Sequence, residues 1–396
     1  MRVATKINVR ILLLMAILLF VKPLTIVGEE ALHLNSDSVI LIDATTGDIL
    51  YEKNSEQLMY PASITKIVTG IIAIEQGNLN DIVTVSENAR YTNGTRVYLE
   101  IGEKVTLEKL VQGLLINSGN DAGVAIAEHM DGNVEQFAER MNQFVREIVG
   151  VEQTTFTNPH GLFHPDHVTT AYDMAKITQY AMQNDIFRQI VSTKHIEWKG
   201  ESWDTTLYNH HQLVRQRDDV IGVKNGFVNQ SGFTLVTAAE QDHIQLIAVT
   251  LNADTNLQSY DDTTKLLDYG FETFQTNHLT HEDVETLDTY NEYFMSDDYF
   301  FTSQKDTNWK KDIENGHLIV TDEDGETLFK QKLSKKKIDE SLGQALNIAD
   351  ESDRLEQGKE MNLPLIIIIS LLCLVIVGVL YLFIQKQIRK RRRFFN

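Results

Sequence analysis

The chain contains little cysteine, proline or positive charge: one Cys, five Pro, and 36 Lys+Arg against 56 Asp+Glu in 396 residues. A single cysteine cannot form an intramolecular disulfide, which excludes a disulfide-stapled scaffold. So few prolines, together with 42% apolar residues, exclude collagen and low-complexity disorder and indicate one large or two ordinary globular domains. The formal net charge of -20 repels nucleic acid, so no nucleic-acid partner is expected.

The N-terminus combines basic residues with an apolar run. Three basic side chains precede the apolar residues 11–21, a run too short to span a membrane, and this pattern predicts a signal peptide over residues 1–28. The alternative is an uncleaved N-terminal anchor, because Lys22 interrupts the run.

A second apolar run lies near the C-terminus. Residues 364–384 are uncharged and mostly aliphatic, and about twenty such residues suffice for a transmembrane helix; a buried core helix is the alternative. Basic side chains are concentrated in the tail, residues 385–396, which the positive-inside rule places in the cytoplasm. The sequence therefore predicts a single-pass protein of the cell membrane with an extracytoplasmic body, and its only cysteine, Cys373, lies within the predicted span.

Between the two apolar runs, helical and strand periods indicate an α/β (α+β) protein. Apolar residues at a period of 3.6 predict helices, and short apolar runs bounded by turn residues predict strands. The predicted helices are 63–75, 107–115, 121–129, 133–149 and 170–182, and the predicted strands are 38–43, 48–52, 220–224, 233–239 and 244–251. Short links between the strands favour antiparallel pairing. We expect a catalytic domain over 29–275, a small β-rich domain with a hairpin over 276–338, and a polar stalk over 339–363.

Three short motifs contain the candidate catalytic residues. In the first, Ser63 and Lys66 are three residues apart at the start of a predicted helix, so the hydroxyl and the amine lie on one face within reach of each other. Because a helix N-terminus disfavours a cation, a partly desolvated Lys66 can lose its proton and act as a base toward Ser63. The alternative is an N-cap serine followed by a solvated lysine.

The other two motifs add polar groups from a loop and a strand. Ser118 and Asn120 flank a glycine between two predicted helices, where a hydroxyl can pass on a proton and a carboxamide can hold an amide carbonyl. Lys224, followed by Asn225 and Gly226 at the end of a predicted strand, can place an ammonium near the terminal carboxylate of a peptide lying along the sheet edge. Taken singly, each motif has an ordinary alternative: a helix-linking turn with Asn120 as N-cap, and a strand ending in a solvated turn.

Together the motifs resemble the Ser-x-x-Lys, Ser-x-Asn and Lys-Thr-Gly set of penicillin-binding proteins and class A β-lactamases. The resemblance is closer to the low-molecular-mass, serine-type D-alanyl-D-alanine carboxypeptidases. The supporting stretches are 60–66, 116–122, 157–162 and 222–227. This family implies a β-lactamase/transpeptidase-like antiparallel sheet with flanking helices, followed by a small β-rich domain and a C-terminal membrane attachment.

The mechanism implied by the resemblance is acyl transfer to Ser63. Its hydroxyl, deprotonated by Lys66, attacks the penultimate D-alanine carbonyl of a peptidoglycan stem peptide, and backbone N–H groups of Ser63 and Phe227 form the oxyanion hole. The terminal D-alanine leaves with a proton relayed through Ser118, and water hydrolyses the acyl-enzyme. Lys224 supplies positive potential for the substrate carboxylate. The resemblance also implies that β-lactam inhibitors acylate the same serine and that no metal or organic cofactor is required.

One position departs from the family pattern, because Asn225 stands where the family usually has Thr or Ser. A carboxamide donates a hydrogen bond from a different place than a small hydroxyl, and loss of one transition-state hydrogen bond costs about 2.7 to 4 kcal/mol. A non-catalytic or weakly active penicillin-binding wall protein is therefore one alternative function. A β-lactamase is a second; it requires a Glu that activates water, and no Glu-x-x-x-Asn element occurs between Ser118 and Lys224.

Two histidine groups are not assigned to the catalytic chemistry. His160, His164 and His167 are close in sequence, but a glycine and a proline between them break any regular helical spacing of metal ligands. We expect no metal site there and expect His160 to shape the loop beneath the active site. The segment 209–211 is expected to pack as polar residues at the end of the sheet.

Overall fold

An antiparallel sheet forms the centre of the structure, a computed structural model that describes residues 32–287 and 292–335. The strands are β1 (Ser38–Asp43), β2 (Ile49–Lys53), β3 (Ile82–Thr84), β4 (Lys104–Thr106), β5 (His195–Lys199), β6 (Asp204–Tyr208), β7 (Val220–Val228), β8 (Gly232–Gln241), β9 (Ile244–Ala253), β10 (Phe274–Leu279), β11 (Tyr293–Phe294), β12 (Tyr299–Gln304), β13 (Trp309–Glu314), β14 (His317–Asp322), β15 (Thr327–Lys332) and β16 (Ser334–Lys335). The central sheet has the order β2-β1-β9-β8-β7, and every neighbouring pair is antiparallel. The predicted antiparallel pairing is confirmed.

Helices cover both faces of this sheet. They are α1 (Lys66–Gln76), α2 (Glu87–Arg90), α3 (Leu107–Ile116), α4 (Asn120–Asp131), α5 (Val134–Phe144), α6 (Ala171–Ala181), α7 (Asp185–Val191), α8 (Leu213–Gln216), α9 (Asn256–Thr273) and α10 (His281–Glu285). A 3₁₀ turn, Ala62–Thr65, precedes α1, and a π-helical turn, Val145–Val149, follows α5.

Strand β1 is buried on both faces, which explains its continuous apolar run. Ile40 and Ile42 point into a core built mainly from α1, α3, α4 and α6. Val39 and Leu41, the alternate residues, point to the opposite side, where they pack in a second core with residues of α9. Successive strand residues face opposite sides of a sheet, so this single strand contributes to both cores.

Two expectations about individual elements are wrong in detail, and one helix was not predicted. The strand predicted to end at Lys224 continues to Val228, because Asn225 to Val228 pair with β8. The helix predicted over 133–149 is α-helical only to Phe144, and Ile148, expected on its buried face, is 54% exposed because the π turn rotates it outward. Helix α9 was not predicted, because its apolar residues are diluted by many polar ones; a Thr255–Gln258 capping box marks its start.

Beyond α9 the described chain is mostly strand. Strand β10 crosses the predicted boundary at residue 275 and pairs with β12, and β13, β14 and β15 form a separate antiparallel sheet. The β14–β15 hairpin and the β-rich character of this region were predicted. Residues 293–294 and 334–335 form the short antiparallel β11–β16 pair, which belongs to a second compact unit.

The carboxylate of Asp43, at the end of β1, joins the central sheet to this β-rich region. It is fully buried and accepts hydrogen bonds from the hydroxyls of Thr276 at 2.5 Å and Thr302 at 2.9 Å. It also accepts from the backbone N–H of Thr45 at 2.8 Å. The acidic side chain therefore accepts from its own turn and from two strands that lie 233 and 259 residues further along the chain.

Within residues 32–287 and 292–335, no helix has both the length and the apolar character of a membrane span. The predicted signal peptide over 1–28, the stalk over 339–363, the transmembrane helix over 364–384 and the tail over 385–396 lie outside the described residues.

Candidate active site

Ser63 and Lys66 are in direct contact. Ser63 lies in the 3₁₀ turn and Lys66 is the first residue of α1, and the Lys66 Nζ atom is 2.9 Å from the Ser63 Oγ atom. No side chain caps this helix, and Lys66 is 0% exposed. The alternative interpretation, an N-cap serine followed by a solvated lysine, is therefore wrong.

The surroundings of Lys66 favour its neutral form. Burial lowers the pKa of Lys66 well below its usual value, and the positive charge of Lys224 lowers it further, while the carboxylate of Asp121 acts in the opposite direction. The Lys66 Nζ atom also donates to the backbone carbonyl of His160 at 2.6 Å. An uncharged amine held at hydrogen-bond distance from a hydroxyl has the geometry of a general base beside a nucleophile.

Two glycines let neighbouring segments close around Ser63. Gly226, in β7, lies against the 3₁₀ turn, and a Cβ added there would be 2.7 Å from the backbone nitrogen of Ser63. Gly161 has a φ of +85°, and a Cβ there would be 1.8 Å from the carbonyl oxygen of Ala62. Because no side chain fits at either position, both segments can approach the serine at backbone distance. The third motif and the 157–162 stretch therefore meet the first motif.

The loop of the second motif has a strained backbone. Ser118 is buried and has a φ of +64°, a left-handed conformation that costs energy in a residue with a side chain. Asn120 is the first residue of α4 rather than its N-cap, and its Nδ2 atom donates to the carbonyl of Asn93 at 2.7 Å. The loop is thus tied to residues 93–97 as well as to the helix that follows.

Asp121 is a site residue that the motif analysis did not single out. Its carboxylate is fully buried and accepts from the backbone N–H groups of Val97 at 3.0 Å and Leu99 at 3.2 Å. Burial raises the pKa of Asp121, while these backbone hydrogen bonds oppose the rise. Its charge also acts on Lys66, which places the second motif within electrostatic range of the first. The only sequence signal was an acid in the first turn of a predicted helix.

Lys224 lies in the middle of β7 and is 1% exposed, contrary to the expectation of a strand end. Burial lowers its pKa to about 7. Its Nζ atom donates to the backbone carbonyl of Asn225 at 2.9 Å and approaches the Asn225 Oδ1 atom at 3.3 Å. Phe227, three residues after Lys224, is half exposed and packs on Phe233 with ring centroids 4.5 Å apart. The third motif thus carries a buried amine and an exposed aromatic ring on the edge strand of the sheet.

The histidines support loops around the site. His160 accepts a hydrogen bond at Nδ1 from the backbone N–H of Leu162 at 3.2 Å, which fits its expected role in shaping this loop. His167 accepts at Nδ1 from the N–H of Thr157 at 3.0 Å, so its Nε2 carries the hydrogen and lies 2.8 Å from the Thr65 hydroxyl. This contact anchors Thr65, the residue directly before Lys66. Across the described ranges, no three metal-ligating side chains converge.

The 209–211 segment packs as expected at the sheet end. Asn209 is buried and donates to the carbonyls of Val191 and Thr193 at 2.9 Å and 3.0 Å. His211 is buried as well, with Nε2 2.8 Å from the Thr237 hydroxyl.

Solved structures of known proteins share this fold. The chain is similar to penicillin binding protein 5 from Haemophilus influenzae, with a TM-score of 0.66 and 27% identity over 76% of this chain and 96% of that one. It is also similar to penicillin binding protein 6B from Escherichia coli, with a TM-score of 0.67 and 28% identity over 76% of this chain and 96% of that one. The fold and the contact between Ser63 and the buried Lys66 therefore define a mixed α/β protein of the penicillin-binding-protein class with a β-rich C-terminal region.

Sequence comparison identifies the family. Residues 25–255 match the model of the D-alanyl-D-alanine carboxypeptidase family, peptidase S11, and the chain belongs to this family. DacF from Bacillus subtilis, a D-alanyl-D-alanine carboxypeptidase, is 34% identical over 258 residues, or 63% of this chain and 66% of that protein. DacD from Escherichia coli, also a D-alanyl-D-alanine carboxypeptidase, is 32% identical over 262 residues, or 63% of this chain and 66% of that protein. The chain spans just under two thirds of the length of these relatives.

Proposed function

We propose that the protein is a serine D-Ala-D-Ala carboxypeptidase that removes the terminal D-alanine from peptidoglycan stem pentapeptides. The observation that carries the proposal is the 2.9 Å contact between the Ser63 hydroxyl and a fully buried Lys66 whose pKa is lowered. The names of the related carboxypeptidases support the same substrate class.

In the proposed mechanism, neutral Lys66 takes the proton of Ser63 as its oxygen attacks the carbonyl of the penultimate D-alanine. The developing oxyanion lies between the backbone N–H groups of Ser63 and Phe227, an arrangement supported by the close approach of Gly226 to the serine nitrogen. Ser118 passes the proton to the nitrogen of the leaving D-alanine. Water then attacks the acyl carbonyl while Lys66 takes a proton from it, the bond from that carbonyl carbon to Ser63 Oγ breaks, and Lys66 returns the proton to the Ser63 oxygen, which leaves the lysine neutral for the next cycle.

Substrate binding is assigned to the other motif residues. Asn120 holds the amide carbonyl that precedes the penultimate residue of the substrate. The backbone N–H of Asn120 donates to the carbonyl of Thr95 at 2.7 Å, which fixes the position of this residue. Lys224 attracts the terminal carboxylate, with Asn225 and Gly226 forming the strand edge along which the peptide lies. The same cleft admits β-lactams, which acylate Ser63.

The alternative functions fit these observations less well. A weakly active wall-binding protein is favoured only by the contact between the Asn225 carboxamide and Lys224. This contact takes up one hydrogen-bond donor of the ammonium that is proposed to pair with the substrate carboxylate. A β-lactamase has no support in the related proteins, whose names describe carboxypeptidases. The segment nearest Lys66 after the second motif provides the His160 carbonyl rather than a glutamate.

We further propose that the body of the protein works outside the cytoplasmic membrane, anchored by residues 364–384. The support is the uncharged run in the sequence and the basic residues that follow it. Peptidoglycan stem peptides are exposed on that side of the membrane.

The experiment is release of D-alanine from a stem pentapeptide by the full-length chain in detergent, with labelling by a fluorescent penicillin measured on the same sample. Release that requires Ser63 supports the proposal. Penicillin labelling without D-alanine release supports the weakly active wall protein instead, provided that Asn225→Thr restores the release. Rapid hydrolysis of the penicillin without D-alanine release supports a β-lactamase.

A further inference from the structure

One loop, residues 155–169, holds the chain on both sides of Ser63. An antiparallel bridge closes the base of this loop. Before the serine, the backbone of Met59 exchanges two hydrogen bonds with that of Thr169, at 2.7 Å and 2.9 Å. After the serine, the same loop contacts the start of α1. The 155–169 loop therefore fixes the nucleophile turn from two directions.

Two buried threonines at the helix start contact this loop. Thr65 and Thr69 are four residues apart, a spacing that puts their side chains on one face of a helix. The Thr69 hydroxyl donates to the backbone carbonyl of Pro159 at 2.7 Å, and the Thr65 hydroxyl lies 2.8 Å from the Nε2 atom of His167. Both threonines are 0% exposed, so water does not compete for these contacts.

His167 uses both ring nitrogens, one within the loop and one toward the helix start. Its Nδ1 atom accepts from the backbone N–H of Thr157 at 3.0 Å, so its Nε2–H is the donor to Thr65. Burial lowers the pKa of His167 to about 3, with the charges of His164 and Lys66 acting in the same direction. The ring is therefore neutral at physiological pH, and the loop fixes which nitrogen carries its hydrogen.

The Thr65 contact stands where a helix cap is missing. Thr65 is the N-cap residue of α1, but its side chain makes no capping hydrogen bond, and it ends the 3₁₀ turn that contains Ser63. Side chains three residues apart eclipse in a 3₁₀ turn and are offset in an α-helix. A shift of this junction therefore changes the distance between Ser63 Oγ and Lys66 Nζ, which is 2.9 Å here.

We propose that His167 is a positioning residue for acyl transfer. Through the Thr65 hydroxyl it fixes the start of α1, and this keeps the Lys66 amine within hydrogen-bond distance of Ser63. The carbonyl of His160, from the same loop, accepts from that amine at 2.6 Å, so the loop holds the backbone and the side-chain end of the lysine together. The inference rests on the proposed carboxypeptidase function and adds to it a residue outside the three motifs.

The test separates the two nitrogens of the ring. In His167→Gln the side-chain NH₂ group can donate to Thr65 from about the place of Nε2. In His167→Asn the carboxamide oxygen can still accept from Thr157, but the contact with Thr65 is lost. The full-length chain in detergent is acylated by a fluorescent penicillin over a range of concentrations. The time courses give the maximal acylation rate constant and the half-saturating concentration.

The two variants should differ in rate rather than in binding. A displacement of about 1 Å can cost about 100-fold in rate, so we expect His167→Asn to lower the maximal rate constant about 10- to 100-fold and to change the half-saturating concentration less than about twofold. His167→Gln should retain most of the rate. In D-alanine release from a stem pentapeptide, His167→Asn should lower kcat and leave KM nearly unchanged.

Thr65→Val removes the same contact from the helix side. It should slow acylation about as much as His167→Asn, and the double variant should be no slower than the slower single variant, because both changes act through one contact. Thr65→Ser, which keeps the hydroxyl, should retain most of the rate. This pair decides the proposal if His167→Asn does not fold.

Asn142, on α5, is the matched control for loop anchoring. Its carboxamide accepts from the backbone N–H of Phe156 at 2.7 Å and donates to the carbonyl of the same residue at 2.8 Å. Asn142→Ala therefore loosens the 155–169 loop without removing the His167 contact. It should lower the urea midpoint and keep the acylation rate constant of the unchanged chain.

Three results would overturn the proposal: acylation of His167→Asn at the rate of the unchanged chain, a His167→Gln chain as slow as His167→Asn, or an equal loss of rate in Asn142→Ala. Additive losses in the double variant would overturn it as well. If the unchanged chain is acylated but releases no D-alanine, the carboxypeptidase proposal fails. The acylation rates of the variants then still decide whether His167 positions the serine–lysine pair.

Discussion

On the proposed carboxypeptidase function, replacing Asn225 by threonine should raise kcat/KM for D-alanine release. In the structure the Oδ1 atom of Asn225 approaches the Lys224 amine at 3.3 Å, so the carboxamide turns its acceptor oxygen, and not its NH₂ donor, toward this lysine. A threonine hydroxyl is smaller and can donate to the carboxylate directly. The bond from Lys224 to the backbone carbonyl of residue 225, at 2.9 Å, does not depend on the side chain and should persist.

The size of the effect follows from these contacts. The side-chain contact that is lost lies at the long end of the hydrogen-bond range, so its removal costs about 1 kcal/mol or less and frees one donor of Lys224. A hydrogen bond from a hydroxyl to a charged carboxylate contributes about 1.5 to 3 kcal/mol. We take about 2 kcal/mol as the net gain in binding the substrate carboxylate, which corresponds to about a 30-fold rise in kcat/KM.

The assay is D-alanine release from a stem pentapeptide, measured for the unchanged chain, for Asn225→Thr and for Asn225→Ala. The alanine variant frees Lys224 without supplying a hydroxyl, so it should gain much less than the threonine variant. An Asn225→Thr enzyme with unchanged or lower kcat/KM would refute the reasoning. Equal gains in both variants would show that the freed lysine, rather than the new hydroxyl, is responsible.

Three further predictions concern the nucleophile, the pH profile and the fold. Ser63→Ala should abolish penicillin labelling and lower D-alanine release by at least about 1,000-fold while leaving the urea midpoint unchanged; residual labelling would contradict its role. Because burial lowers the pKa of Lys224 to about 7, this side chain loses its charge as the pH rises through about 7, so KM for a peptide carboxylate should increase between about pH 6 and about pH 8. A KM independent of pH in that range would show that Lys224 stays charged. Asp43→Ala should reduce the free energy of unfolding by about 2 to 4 kcal/mol in urea titrations, because it leaves the Thr276 and Thr302 hydroxyls without their charged acceptor; a loss below about 1 kcal/mol would contradict this.

Much of the central fold was predictable because its elements have strong local signals. Strand β1 is a run of apolar residues next to a turn glycine, and the three strands from residue 220 to residue 253 are joined by short polar turns. Helix α9 was not predictable in the same way, because its apolar face contains only a few large residues and includes the buried polar side chains Asp262 and Thr263. Asp262 is stabilised by hydrogen bonds from Asn35 and Ser36, more than two hundred residues away.

In the candidate site, too, local spacing predicted some features and contacts between distant segments decided others. Spacing alone placed Ser63 and Lys66 on one helical face, since residues three apart are neighbours in any helix. Their protonation states depend on burial, and burial depends on which segments cover the helix start. Gly161 and Gly226, from two other parts of the chain, cover it at backbone distance. Asp121 escaped notice because its partners, the N–H groups of Val97 and Leu99, belong to a loop with no regular pattern.

By itself, the amino-acid sequence determined the family, the order of the three motifs and the pairing of serine with lysine, because these depend on residue type and local spacing. Only the tertiary structure decided that Lys66 and Lys224 are both buried and that the Asn225 carboxamide faces Lys224. The physical reason is that desolvation and charge–charge interaction depend on distances between segments up to about 160 residues apart in the chain, and local patterns carry no information about those distances.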